Sequence, residues 1–177
     1  GISDEKLERE FNVFRLIQSF RTRGHLLADT NPIRPRKDRK ARLSLEEYGL
    51  SDADRSSVFQ CGEFVGLGPA TLDAIIDRMK KIYCGKIGFQ YMHSNNTDVR
   101  RFMREKIEST ALNIDMSLEK KKRILQKLNE ANVFENFLQT KYVGQKRFSL
   151  EGGETTIPAL DAIINKGASL GAHEFVI

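Results

Sequence analysis

The sequence predicts a mostly α-helical chain that leads into the first β-α-β unit of an α/β domain. Three observations carry this reading. Apolar residues recur at three- and four-residue spacing in successive segments up to about residue 145. Side chains suited to helix caps precede those segments, and glycines or turn residues follow them. Residues 146–177 then change pattern, to a short strand, a turn, a helix and a second apolar strand. The expected organisation is a helical region over 1–145 and the start of an α/β domain over 146–177.

The elements follow in order. Ser3 and Asp4 are N-cap candidates, and Glu5 suits a first turn. Leu7, Phe11, Phe14, Ile17 and Phe20 (or Arg21) form a helical stripe, with Gly24 as its end. Asp29-Thr30-Asn31-Pro32 is a stop and turn. Ser44-Leu45-Glu46-Glu47 opens a short helix stopped by Gly49, and Ser51-Asp52-Ala53-Asp54 caps another toward Phe59. Gly62, Gly66, Gly68 and Pro69 mark a loop; without a following Lys-Ser/Thr it is not a phosphate loop. Thr71 caps a helix carrying Leu72, Ile75, Ile76, Met79 and Ile82. Residues 86–93 read as a weak strand or extended loop. Ser94-Asn95-Asn96-Thr97 reads as a turn plus N-cap before a helix lined by Val99, Phe102, Met103 and Ile107. Asp115-Met116-Ser117 opens a helix with Leu118, Ile124, Leu125 and Leu128, and 129–142 continues helically.

At the end, 146–150 reads as a strand and Glu151-Gly152-Gly153-Glu154 as a turn. Ile157, Leu160, Ile163 and Ile164 have helical spacing, and Glu174-Phe175-Val176-Ile177 begins another strand. In open α/β sheets ligands sit beyond the carboxyl ends of the strands, so the chemistry is expected past Ile177.

Composition narrows the class. The chain of 177 residues has 40% hydrophobic and 30% charged residues, as an ordinary globular chain does. Its apolar runs fall far short of the roughly 18 residues a membrane span needs. Cys61 and Cys84 form no metal-binding pair and are expected as free thiols. The net charge of +5 permits nucleic-acid binding without arguing for it. Much of the excess lies in Arg34-Pro35-Arg36-Lys37-Asp38-Arg39-Lys40-Ala41-Arg42, which lacks aromatics to stack on bases and reads as a solvated loop. The histidines His25, His93 and His173 are too far apart for a local metal site. His25 reads as a helix-end residue, and His93 as a hydrogen-bonded structural or pocket histidine. Glu151 and Glu154 suit a helix N-terminus. No nucleophile-base triad can be assembled.

Several motifs, taken in order, resemble one family. The run Lys141-Tyr142-Val143-Gly144-Gln145-Lys146-Arg147-Phe148-Ser149-Leu150-Glu151-Gly152-Gly153-Glu154 is similar to the segment entering the catalytic region of the 2-oxoglutarate dehydrogenase decarboxylating component. Arg21-Thr22-Arg23-Gly24-His25-Leu26 with the turn ending at Pro32 resembles a second motif of that family. Tyr83-Cys84-Gly85-Lys86-Ile87-Gly88 with Tyr91-Met92-His93 resembles a third. Glu119-Lys120-Lys121 and Phe137-Leu138 occur where the family has similar helices. The resemblance runs from about Phe14 to Ile177.

That resemblance implies a fold and a chemistry. The 146–177 segment would open a thiamine-diphosphate-binding domain. The parent protein would decarboxylate 2-oxoglutarate with thiamine diphosphate and Mg2+, as a homodimer, and pass a succinyl group to a dihydrolipoyl succinyltransferase. The family's catalytic histidine and its Gly-Asp-Gly-like metal motif come later than the counterpart of Ile177. The expectation is therefore no catalytic or cofactor ligand among these residues, and an inactive fragment. His93 and Arg147 are the substrate-side candidates, since a dicarboxylate needs cationic or hydrogen-bonding partners. The resemblance further implies a bacterial cytoplasmic location, or the mitochondrial matrix in a eukaryote. Some animal members carry acidic residues in place of the basic loop and are linked to calcium; this chain departs from them. Two other readings compete: a helical assembly module whose basic loop meets an acidic partner, and a small basic nucleic-acid-binding protein.

Overall fold

A computed structural model describes residues 3–37 and 39–177; Asp38 of the basic run lies outside them. The chain forms two compact units, Gly1–Ile114 and Asp115–Ile177. The break expected at 145/146 falls inside the second.

Helix α1 (Asp4–Arg23) starts where the Ser3 side chain accepts the Lys6 N–H. Acidic Asp4 and Glu5 occupy its first turn and basic Arg21 and Arg23 its last, matching the helix dipole at both ends. Its buried face is Val13, Leu16, Ile17, Phe20 and Arg21. The expected stripe is thus corrected: Leu7 and Phe11 are 60% and 59% exposed. The core covers only the second half of α1, and the i, i+3, i+4, i+7 set there begins at Val13.

Helix α2 (Leu72–Tyr83) is as the sequence predicts. Thr71 caps it, and Leu72, Ile75, Ile76, Met79, Ile82 and Tyr83 are buried. Helices α1 and α2 build the core of the first unit. Leu45, Tyr48 and Leu50 close one side, Phe59, Cys61 and Val65 another, with Tyr91 and Ile107. Helix α3 (Thr97–Thr110) is capped by the Asn96 side chain, which accepts from the Asp98 and Val99 N–H groups. It buries Ile107, while Phe102 is 61% exposed.

The short helices expected near 44–59 are single 3-10 turns, Glu46–Tyr48 and Asp52–Asp54. Gly49 ends the first with φ of 66°, a left-handed conformation that favours glycine. The sequence reading carried helix toward Phe59, but Val58–Phe59 (β1) pairs antiparallel with Ala70–Thr71 (β2). Between them Gln60–Val65 is a 3-10 turn. A Cβ on Gly62 would stand 2.1 Å from the Gly68 carbonyl oxygen, so that glycine serves close packing. Residues 86–93 form no strand.

In the second unit, Leu118–Lys141 is one continuous helix, α4, capped by Ser117. It packs against α5 (Thr156–Ser169), and Arg123 clasps Asp161 through two hydrogen bonds of 2.6 and 2.7 Å. The helix expected between two strands is present; the strands are not. Residues 146–150 and 174–177 are irregular, with Phe148 and Val176 fully or almost fully exposed. A strand is stable only where a ladder takes up its N–H and C=O groups. Among the described residues the only ladder is β1–β2, so the β-α-β unit is corrected to a helical hairpin. No described helix is long and apolar enough to cross a membrane.

One buried carboxylate gives the fold a pH signature. The Asp54 carboxyl accepts the Ser51 N–H at 2.8 Å and the Ser51 hydroxyl at 3.0 Å, and pairs with Arg9. The Ser51 N–H, first, holds it below its ordinary value of 3.8; burial acts in the opposite direction and is outweighed. A depressed folded pKa contributes stability above the unfolded value, and that stability fades as pH falls through the folded one. We expect chemical denaturation to show a loss of stability beginning near pH 4 that is shallower in Asp54→Asn. An identical acid limb in the two proteins would contradict this role.

Candidate functional site

The two signature segments meet at the paired ends of α1 and α2. Gly24 closes α1, and a Cβ there would stand 2.5 Å from the Tyr83 Cβ. Only glycine lets the two helix ends come this near. The Asp29 N–H donates to the Gly85 carbonyl at 2.9 Å, and Lys86 pairs with Asp29. Gly88 lies against His25, Ala28 and Thr30. Each of the two motifs therefore completes the other.

Beneath this junction runs a buried polar chain. Arg21 grips Glu108 of α3 through Nε at 2.7 Å and Nη2 at 3.0 Å, and gives a further hydrogen bond of 2.8 Å to the Phe64 carbonyl. Its side chain is 3% exposed and that of Glu108 14%. Tyr83 donates its only hydroxyl proton to Glu108 at 2.7 Å. The Tyr91 hydroxyl, 2.9 Å from that of Tyr83, is then the donor of the next bond. Burial opposes the Arg21 charge, but Glu108 outweighs it and holds the guanidinium above its ordinary pKa. Burial pushes the Tyr83 hydroxyl far upward, with Tyr91 and Glu108 acting the same way. The arrangement pairs one cation with one carboxylate and links both to the two tyrosines by hydrogen bonds. Its chemistry is positioning.

Two further arginines strap the loop that follows α1. Arg23 donates to the Ala41 and Arg42 carbonyls at 2.8 and 3.2 Å and to the Tyr48 hydroxyl at 2.7 Å. Arg36 donates to the His25 and Leu26 carbonyls at 3.3 and 3.1 Å and to Thr30 at 3.0 Å. The basic run is thus held down at Arg36 and Ala41, while Arg34, Lys37, Arg39, Lys40 and Arg42 are exposed. His25 sits in the 3-10 turn Gly24–Leu26 with a buried, unpartnered Nδ1, and burial, then Arg36, lowers its pKa.

The substrate-side candidates lie in different units. His93 is exposed in a turn of the first unit. Arg147 of the second approaches Glu135 at 3.6 Å and Gln139 at 3.5 Å, while Glu135 also accepts from Ser149 and Leu150. Glu154 accepts the Gly152 N–H at 3.0 Å, a turn-shaping bond. The cysteines are free; burial pushes the Cys61 thiol up to about 12, aided by Glu10, and raises Cys84. Glu108 was not singled out by sequence reasoning. Its signal was local: it follows Ile107, the one buried residue of α3.

Because Tyr83 makes two bonds in the chain and Tyr91 one, the two should differ on loss of the hydroxyl. Tyr83→Phe is expected to cost about 1.5–3 kcal/mol in denaturant unfolding and Tyr91→Phe about 1 kcal/mol. Equal, negligible losses would contradict the network.

No protein-family model matches the chain. Curated relatives do. The 2-oxoglutarate dehydrogenase E1/E2 component of Corynebacterium glutamicum is 40% identical over 97% of this chain. The 2-oxoglutarate dehydrogenase E1 components of Azotobacter vinelandii and Cupriavidus necator are 36% and 40% identical over 100% and 92% of it. The chain spans 14%, 19% and 17% of the lengths of these three relatives. With two of its motifs joined in one packed junction and this identity over nearly its whole length, the chain belongs to the 2-oxoglutarate dehydrogenase E1 family, as a counterpart of the N-terminal region of those proteins.

Proposed function

We propose that this chain is a helical scaffold within a decarboxylating component of 2-oxoglutarate dehydrogenase. The observation that carries the reading is identity of 36–40% extending over nearly every residue. On this reading the whole protein releases carbon dioxide from 2-oxoglutarate and passes the succinyl group to lipoyl groups of a succinyltransferase partner, as a homodimer. Thiamine diphosphate with Mg2+ would supply the electron sink for decarboxylation.

We propose that residues outside this chain hold that cofactor. Among the described residues no three His, Cys, Asp or Glu side chains converge as a metal site. In the Arg21–Glu108–Tyr83 chain, Nε and Nη2 of Arg21 are spent on Glu108 and the Phe64 carbonyl, and the Tyr83 hydroxyl proton on Glu108. The contribution of this chain is accordingly structural: it fixes the ends of α1 and α2 and the strapped basic loop. His93 and Arg147 are each kept as a proposed hydrogen-bonding or cationic contact for a dicarboxylate.

A second reading, an assembly module, is favoured by α4. That helix has no buried residue, and Leu118, Leu125, Val133, Phe134 and Phe137 are all more than half exposed. Such an apolar surface suits a partner. The two readings are compatible within a multienzyme assembly.

The test is carbon dioxide release from 2-oxoglutarate with thiamine diphosphate and Mg2+, measured on the natural protein containing this chain and on residues 1–177 alone. Activity of the former and none of the latter is expected. A natural protein inactive on 2-oxoglutarate would overturn the enzyme reading and leave the assembly role.

A further inference from the structure

The strap formed by residues 39–44 lies beside α2 and leaves an open cleft of about 490 Å3. Lys40 and Arg42 line it from the strap and Lys80 from α2, and among the described residues Glu47 is the one carboxylate in its wall. Leu27 and Leu43 supply an apolar floor. The volume is that of a small-molecule site rather than a macromolecular interface.

Three features distinguish this from a chance cluster of surface lysines and arginines. First, the cations are not used by the fold: among the described residues none of the three forms an ion pair. The other basic residues near the junction, Arg21, Arg23, Arg36 and Lys86, are all engaged. Second, the strap is held in place. Arg23 takes the Ala41 and Arg42 carbonyls, and the Tyr48 hydroxyl donates to the Arg42 carbonyl at 3.0 Å. Third, Lys40 and Arg42 have left-handed φ values of 59° and 50°. That conformation is costly for residues with a Cβ, and such costs gather at binding sites.

We propose that this cleft binds a small multivalent anion with an apolar portion, held by Lys40, Arg42 and Lys80. Phosphate esters and polycarboxylates share this chemistry. Arg42 supplies a planar fork for paired oxygens, and the two lysines supply point charges. The inference stands apart from the decarboxylase reading, and the failure of either leaves the other untouched.

The test is isothermal titration of the natural protein with inorganic pyrophosphate and, separately, citrate, near physiological ionic strength. One site per chain that depends on Arg42 and Lys80 is expected, separate from any diphosphate site of the proposed enzyme, which Arg42→Gln and Lys80→Gln would leave unaltered. Arg42→Gln and Lys80→Gln should each weaken binding by about tenfold or more, as loss of a charged hydrogen bond does. Lys121→Gln, an equal charge change on exposed α4, should leave it unaltered. Lys40, Arg42 and Lys80 are all exposed, so thermal unfolding of the variants should match that of the parent. Preference for pyrophosphate assigns a phosphate ligand; preference for citrate assigns a polycarboxylate. Absence of binding by both probes, or equal weakening by all three variants, would overturn the site.

Discussion

The first unit depends on one buried ion pair. Arg21 is almost wholly removed from water, yet it is held above its ordinary pKa because Glu108 offers both carboxylate oxygens to it. Taking two ions out of water is expensive, and their attraction repays it only with good geometry and satisfied remaining valences. Here the Phe64 carbonyl and the Tyr83 hydroxyl provide that satisfaction. The pair therefore joins α1, α2, α3 and the Gln60–Val65 turn at one point. Apolar packing alone would tolerate a range of helix rotations; a fork-on-carboxylate contact with a tyrosine at fixed height tolerates few.

The junction of the two motifs follows from that fixing. With Tyr83 held by Glu108, its Cβ stands where only a glycine can pass, and Gly24 occupies that position. The chain leaving α1 then meets the chain leaving α2, and Asp29 takes the Gly85 carbonyl and the Lys86 ammonium. Arg23 and Arg36 work outward from the same place, each spending its guanidinium on backbone carbonyls of a loop that has little regular structure. A loop pinned in this way can hold the left-handed residues Lys40 and Arg42 that an unsupported one would relax.

How much of this was legible in the sequence varies with the kind of interaction. Helix α2 could be read directly, because Leu72, Ile75, Ile76, Met79 and Ile82 lie on a single face and all are buried. The caps Ser3, Thr71, Asn96 and Ser117 were legible too, since capping is decided within one turn. The stripe of α1 was misplaced because Leu7 and Phe11 share its periodicity without sharing its neighbours. The β1–β2 pair escaped because two-residue strands carry no alternation to detect. The strands expected around 148 and 175 had the right composition, but pairing is non-local and composition does not supply a partner. Of the candidate site, the Arg-Gly-His and Tyr-Cys-Gly motifs were visible as patterns. Their contact with each other is non-local, and the Arg21–Glu108 pair beneath it joins residues 87 positions apart.

The central claim is that Arg21 and Glu108 act as a unit that sets the arrangement of the helices. A double-mutant cycle on unfolding free energy, with Arg21→Met and Glu108→Leu, tests it most directly. Each single change is predicted to cost about 3–5 kcal/mol, since it strands the other charge. The double variant is predicted to be no less stable than either single one, a large coupling between the sites. Additive losses from the two changes would contradict the claim and return the fold to apolar packing alone.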